Sequence, residues 1–121
     1  MNQNEKQTLV DQFQDWLRSS FLPDQKKRKG RTMSRAEWER HFNGLSMMFA
    51  CFVFCHPLLN RVTSCHTASI LAAFQDHVRT TLQQGWEEEG VTPSLEEQQA
   101  EEEYFFYPVS LFLSVKTAQC N

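Results

Sequence analysis

Apolar residues recur at steps of three and four along the first part of the chain, and this spacing predicts an amphipathic helix over residues 4–22. The apolar stripe consists of Leu9, Val10, Phe13, Trp16, Leu17 and Phe21. Asn4 is a favourable N-cap residue, and Gln7 stands where its side chain would complete a capping box. Pro23 cannot donate a helical hydrogen bond, so the helix is expected to stop there.

A second helix is predicted over residues 35–55 because the chain has its clearest helix-start signal there. Ser34 and Glu37 have the spacing of a capping box, and Pro57 ends the helix, since the residue before a proline avoids helical angles. The helix is amphipathic at first, but from Met47 onward it is apolar on every face. We therefore expect it to enter the core as the central helix, enclosed by its neighbours.

The remaining hydrophobic spacing predicts further helices over residues 64–84, 94–106 and 109–118. Gly85 is the expected terminator of the first of them, and Pro108 is expected to kink or end the second. Residues 109–115 alternate as a strand does, but a lone strand without a partner leaves unpaired edges, so a helix is favoured. The sequence thus predicts an all-α bundle of four to five helices, with residues 1–121 forming one domain.

Length and composition support this class of fold. The chain has 121 residues, of which 40% are hydrophobic and 22% are charged, which is typical of one globular domain and excludes a disordered or collagen-like chain. The amino terminus lacks the pattern of a secretory signal. The longest apolar stretch, residues 47–55, is too short to span a bilayer, so we expect no membrane association.

Cysteine and histidine residues cluster in the middle of the chain. Without a secretory signal, we expect the four cysteines to be reduced and the protein to be cytoplasmic, with Cys65 the most reactive thiol. Five residues could gather at one turn as metal ligands: Cys51, Cys55, His56, Cys65 and His66. Their spacing matches none of the usual paired-ligand signatures of zinc sites, so no metal and no cofactor are predicted.

Charge is distributed unevenly along the chain. Residues 1–79 carry eleven Lys and Arg against seven Asp and Glu, a balance of +4, whereas residues 80–121 carry one Lys against eight Glu, a balance of −7. Five of the eleven basic residues crowd into a predicted loop over residues 23–33, and all eight Glu lie in an acidic segment over residues 87–103. Such asymmetry bears on the partners of a protein more than on its fold.

The acidic segment runs directly into aromatic residues, and this juxtaposition predicts a protein-binding surface with an aromatic centre and an acidic rim. The expected partner is a protein with a basic surface, and a homodimer could use the same patch. No nucleophile elbow, phosphate-binding loop or pair of Glu-x-x-His sites is present, so we expect no enzyme but an adaptor, chaperone-like or inhibitory module. The predicted contact residues are Trp86, Glu87, Glu88, Glu89, Glu101, Glu102, Glu103, Tyr104, Phe105 and Tyr107.

The basic loop supports an alternative function, a nucleic-acid-associated regulator that contacts phosphates without recognising sequence. Its setting just before a capped helix favours anions. The loop itself contains no aromatic residue on which a base could stack. The residues of this alternative site are Lys26, Lys27, Arg28, Lys29, Arg31 and Arg35.

Overall fold

In a computed structural model the chain folds as an all-α bundle, as the sequence predicts, with no strand in the part of the chain that is described. That part comprises residues 1–29 and 33–120, with side chains described for all of these except residues 26–29. The helices are α1 (Gln3–Trp16), α2 (Leu22–Lys29), α3 (Arg35–Cys55), α4 (Thr67–Glu89) and α5 (Leu95–Cys120).

The first predicted helix is longer than expected, because α1 continues through a π-helical turn (Leu17–Phe21) into α2. In that turn the N–H of Leu22 donates to the carbonyl of Leu17. The wider turn accommodates the ring of Pro23, which provides no N–H of its own. The prediction that Pro23 ends the helix is wrong, and so is the prediction of a loop from there to Lys29. The N-cap is Asn2, which forms a capping box with Glu5.

The second predicted helix is confirmed, since α3 begins and ends at the predicted residues. The Ser34 hydroxyl accepts a hydrogen bond of 3.1 Å from the backbone N–H of Glu37. After α3 the chain makes a short 3-10 turn (Pro57–Asn60), and it begins α4 at Thr67. The start and stop signals of α3 are local, which is why the sequence alone places its ends.

The third predicted helix is displaced toward the carboxyl end of the chain. α4 begins three residues later than predicted and passes through Gly85, so that its last turn includes the first glutamates of the acidic segment. It ends at Gly90, whose φ of 68° is the left-handed conformation that favours glycine. Gly90, and not Gly85, is therefore the terminator.

The last two predicted helices form one helix. α5 begins after Ser94, whose hydroxyl accepts a hydrogen bond of 3.2 Å from the N–H of Glu97, and it passes through Pro108 without ending. Pro108 is buried in the core, and this packing offsets the hydrogen bond that proline cannot make. Residues 109–115 are helical, as favoured, and α5 packs along α4.

Phenylalanine rings from four helices meet in the core. The ring centroid of Phe49 in α3 lies 4.5 Å from that of Phe13, 5.9 Å from that of Phe74 and 6.1 Å from that of Phe112. Phe52, one turn further along α3, is also fully buried and packs edge-on against Phe74 at 5.3 Å. Burial of each such ring contributes about 2–3 kcal/mol from removal of apolar surface from water.

The outer face of α3 is open, which corrects the prediction that the helix is enclosed on all sides from Met47 onward. The Met47 side chain is 71% exposed and that of Phe54 is 37% exposed, while Cys51 and Cys55 are free and exposed thiols. α1, α4 and α5 all pack against α3, so it is central to the bundle, but none of them covers this face.

A disulfide joins Cys65, just before α4, to Cys120, the last residue of α5, with 5.9 Å between their Cα atoms. The prediction of four reduced thiols is therefore wrong for this pair, and Cys65 is not a reactive thiol. The end of α5 reaches Cys65 because Pro108 does not interrupt that helix. Disulfides persist in oxidising compartments, so the cysteines no longer support a cytoplasmic location. That location stays a prediction. No helix in the described ranges has the length and hydropathy needed to cross a membrane.

Candidate functional site

A groove of about 510 Å³ opens between α2, α3 and α5, and its lining is mostly apolar. The floor is formed by the buried side chains of Phe21, Leu22, Leu45 and Pro108. The rim is more polar and consists of Gln25, Met33, His41, Ala100, Glu103, Tyr104 and Tyr107. Binding sites in proteins typically combine an apolar floor with a few placed polar groups in this way.

Tyr104 and His41 connect α5 to α3 at the rim of the groove. The Tyr104 Oη and the His41 Nδ1 are 2.8 Å apart, and the tautomer of the imidazole decides which of them donates. Burial raises the pKa of Tyr104 above its ordinary value, the charge of Glu101 raises it further, and Arg40 opposes the shift. The phenol is consequently neutral at physiological pH and keeps its proton for a hydrogen bond.

Tyr107 forms the other aromatic part of the rim. Its ring lies 6.0 Å from that of Phe21 on the floor. Tyr107 and Tyr104 are each 37% exposed, so both residues keep surface open to an incoming group. Aromatic residues placed in this way are enriched at the centre of protein interfaces.

The glutamates that precede Tyr104 take different positions. Glu103 lines the groove, and Glu101 lies close enough to Tyr104 to affect its pKa. Glu102 points instead toward α4, where its carboxylate is 3.6 Å from the guanidinium of Arg79. One wall of the groove is therefore acidic through Glu103, and the charge of Glu101 lies near Tyr104, while the carboxylate of Glu102 is paired within the bundle.

The other residues of the predicted acidic and aromatic surface lie outside the groove. Trp86 and Glu87 line a separate depression of about 310 Å³ at the turn between α4 and α5. Glu88 and Glu89 are exposed at the end of α4. The half-buried ring of Phe105 packs against the core, 5.0 Å from the ring of Tyr104. The structure thus divides the predicted surface between two places.

Eight residues of the groove were not among the predicted contacts: Phe21, Leu22, Gln25, Met33, His41, Leu45, Ala100 and Pro108. Three of them lie on or just before α2, where the sequence predicts a helix end and a loop. The hydrophobic spacing of Phe21 and Leu45 identifies them only as core residues, because position along the chain does not show that α2 and α5 face each other across α3.

The basic residues of the alternative site lie mostly outside the described side chains. Lys26, Lys27, Arg28 and Lys29 form the end of α2, and only their backbone is described; Arg31 lies outside the described residues. Arg35 begins α3, and its Nε is 3.1 Å from the Glu39 carboxylate.

An aromatic stack that follows this basic stretch in the sequence was not predicted. Trp38 and Phe42, one turn apart on α3, have nearly parallel rings with centroids 5.3 Å apart. The guanidinium of Arg18 lies over the Phe42 ring at 4.4 Å from its centroid. Their spacing on α3 is visible in the sequence, but the contact with Arg18 depends on the packing of α1 and its π-helical extension against α3.

The five cysteine and histidine residues considered as metal ligands do not form one site. Cys65 is bonded to Cys120, while the Nδ1 of His56 and the Nδ1 of His66 each accept a hydrogen bond from a nearby backbone N–H. Across residues 1–29 and 33–120 no group of three or more His, Cys, Asp or Glu side chains is arranged to hold a metal ion.

Comparisons of the chain with protein families, with curated proteins and with solved structures found no match.

Proposed function

We propose that this protein is a binding module whose groove between α2, α3 and α5 holds an apolar side chain of a protein partner, next to basic residues of the same partner segment. The observation that carries the proposal is the groove itself, with an apolar floor and an acidic wall. The protein acts by binding and not by catalysis, as an adaptor, chaperone-like or inhibitory protein does.

The size and lining of the groove support an aromatic or aliphatic anchor residue. A volume of about 510 Å³ falls within the range of about 300–1,000 Å³ that is typical of binding pockets. The floor buries apolar surface, and the phenols of Tyr104 and Tyr107 stand at its edge. Interface energy is concentrated where an anchor fills such a pocket and excludes water.

The charge along α5 supports a partner segment with lysine or arginine residues. Glu96, Ala100, Glu103 and Tyr107 follow one another at steps of four, three and four residues, so they lie along one face of α5. Glu96 and Glu103 are both exposed. A small apolar ligand would leave this row of carboxylates unused, whereas a peptide segment can fill the groove and still place cations against α5.

Selection from a phage-displayed library of random peptides tests the proposal. We expect the peptides retained by the protein to share an aromatic or aliphatic residue flanked by Lys or Arg. In fluorescence anisotropy, Tyr107→Ala lowers the affinity of a selected synthetic peptide by about 30-fold, the effect of losing an interface hot spot. Glu103→Lys weakens binding of the same peptide and makes it less sensitive to salt.

Trp86→Ala and Glu88→Lys are the matched controls, because they remove an aromatic residue and reverse a charge outside the groove. Both are expected to leave the affinity of the peptide unchanged. Circular dichroism shows whether each variant keeps its helices. Selection of peptides without basic residues, or equal loss of affinity in Trp86→Ala and Tyr107→Ala, would contradict the proposal.

A second candidate function, binding of single-stranded nucleic acid, is favoured by the aromatic stack of Trp38 and Phe42 beside Arg18. Aromatic side chains together with cations are the usual platform for unpaired bases, and the basic sequence of residues 26–31 ends a few residues before α3.

Titration of a fluorescent oligo(dT) and a fluorescent oligo(U) distinguishes this function from the first. Nucleic-acid binding predicts an affinity that falls steeply between about 50 mM and 200 mM salt. It also predicts about a tenfold loss in Trp38→Ala, from the energy of one stacked base, and no loss in Trp86→Ala. Weak binding that is equal in both variants would exclude this candidate.

A further inference from the structure

The open face of α3 exposes large apolar side chains. Met47 is 71% exposed and Phe54 is 37% exposed, and both lie on the side of the helix opposite the buried Phe49 and Phe52. At Gly44, one turn before Met47, the place where a Cβ would stand has no neighbouring element within 4 Å among the described residues. The bundle itself therefore leaves this face open along about three turns of α3.

The same face lacks the charged side chains that the solvent side of a helix normally carries. Between Arg40 and Arg61 the sequence contains no Asp, Glu, Lys or Arg. A contiguous apolar surface of this kind marks a contact site. Without charge the face does not repel an identical face, and it has no electrostatic means of selecting a basic or an acidic partner. Its chemistry therefore fits a second copy of the chain, in contrast to the groove, where Glu103 stands at the rim.

Four residues of the face have the spacing of a seam between paired helices. Asn43, Met47, Ala50 and Phe54 follow one another at steps of four, three and four residues, which are the steps between the a and d positions of a heptad repeat. The name α3 seam is used for these four residues. We propose that the α3 seam packs against the α3 seam of a second copy of this chain, with the two helices antiparallel, and so forms a dimer with two-fold symmetry.

The sizes of the four side chains select the antiparallel arrangement. The steps of the α3 seam are the same from either end, so an antiparallel copy places Met47 against Ala50 of the other copy and Phe54 against Asn43 of the other copy. Each large side chain then meets a smaller one, and each contact occurs twice about the two-fold axis. A parallel copy would place Met47 on Met47 and Phe54 on Phe54, and it would leave a gap between the two Ala50 side chains. Such gaps lose packing contacts.

The α3 seam is short, so we expect the dimer to be weak and reversible. From Asn43 to Phe54 it extends for about 18 Å, and interfaces at the low end of the size range belong to transient complexes. The dissociation constant is therefore expected in the micromolar range. His41 and Leu45, which line the groove, lie on other sides of α3, so each copy in the dimer keeps its groove open.

Sedimentation velocity over a series of protein concentrations tests the proposal on the full chain with its disulfide intact. Anaerobic buffer with EDTA keeps the free thiols from oxidising. We expect the sedimentation coefficient to rise from that of a monomer to that of a dimer. Met47→Glu should raise the dissociation constant by at least about tenfold, because it buries a carboxylate against Ala50 of the other copy. The matched control is Leu95→Glu, which changes an equally open apolar residue, 69% exposed at the start of α5, and leaves dimerisation unchanged.

A spin label on the free thiol of Cys55 measures the orientation of the two helices. Cys51→Ser leaves Cys55 as the free cysteine that takes the label. Cys55 lies about 10 Å beyond the middle of the α3 seam, so an antiparallel pair separates the two labels by about 20 Å along the helix axis. A parallel pair would hold them about 10 Å apart, the distance between packed helices. Electron paramagnetic resonance distinguishes these two distances.

Four results would overturn the proposal. The first is a wild-type protein that sediments as a monomer at every concentration. The second is equal dimerisation of Met47→Glu and Leu95→Glu, and the third is a label distance of about 10 Å. The fourth is loss of the dimer in Tyr107→Ala with no loss in Met47→Glu, which would place the second copy in the groove. Circular dichroism shows that each variant keeps its helices, and the affinity of the groove for a peptide is measured separately.

Discussion

Removal of the disulfide between Cys65 and Cys120 is expected to lower the free energy of unfolding by about 2–4 kcal/mol. The two cysteines are 55 residues apart in sequence, and the chain-entropy model gives about 4 kcal/mol for closing a loop of that length in the unfolded state. Measured losses for native disulfides range around this value, at about 2–5 kcal/mol. The double variant Cys65→Ser/Cys120→Ser is the perturbation.

The folded state of this variant keeps most of its contacts. Phe112 and Leu113 hold α5 in the core, and near its end the hydroxyls of Thr67 and Thr117 are 2.6 Å apart. The loss of stability therefore arises mainly from the conformational entropy that the unfolded chain gains when the disulfide is removed. A domain of ordinary stability, about 5–15 kcal/mol, remains folded after such a loss, so the variant can be measured.

Urea denaturation followed by far-ultraviolet circular dichroism gives the free energy of unfolding for both proteins. The matched control is Cys51→Ser/Cys55→Ser, which removes two free thiols and is expected to change stability by no more than about 0.5 kcal/mol. Titration of thiols in the urea-unfolded, unreduced wild type should find two. Four reactive thiols, or equal stability of the wild type and the disulfide variant, would refute the reasoning.

Three further changes test the core, a half-buried histidine and a helix end, each by its effect on the urea midpoint. Phe49→Ala removes the ring at the centre of the phenylalanine core and should cost about 3–5 kcal/mol. Burial first, and then the charge of His56, lower the pKa of His77 from its ordinary 6.5. The unfolded chain therefore binds the proton more tightly, and this contribution to stability is complete above about pH 6.5 and falls as the pH decreases below it. His77→Phe removes that decline, and an unchanged pH profile would contradict the assignment. Gly90→Ala should cost about 1 kcal/mol because of its positive φ, whereas Gly85→Ala, inside α4 with open space around it, should gain about 0.5–1 kcal/mol.

Local signals along the chain predict the limits of some helices correctly and those of others wrongly. The capping residue Ser34 and the stop at Pro57 act within a few residues, so the limits of α3 could be predicted. Gly85 and Gly90 are both plausible terminators by residue type, and only the left-handed backbone at Gly90 distinguishes them. Which of the two glycines takes the left-handed conformation depends on where α4 meets the turn into α5.

The two prolines show where local rules are overridden by packing. Pro23 is accommodated by the π-helical turn that precedes it, and Pro108 is buried between helices. At each proline the helix continues beyond the end that the sequence predicts. The continuation past Pro23 provides α2, which forms one wall of the groove. The continuation past Pro108 extends α5 as far as Cys120, where the disulfide forms.

The candidate site could be predicted only in part for the same reason. Glu103, Tyr104 and Tyr107 are on the predicted surface because acidic and aromatic residues adjoin in sequence. Trp86 adjoins the acidic segment too, but it lies at the turn between α4 and α5. Two residues of the floor, Phe21 and Leu45, have the spacing of core residues, and no spacing rule shows which part of a core stays open to solvent.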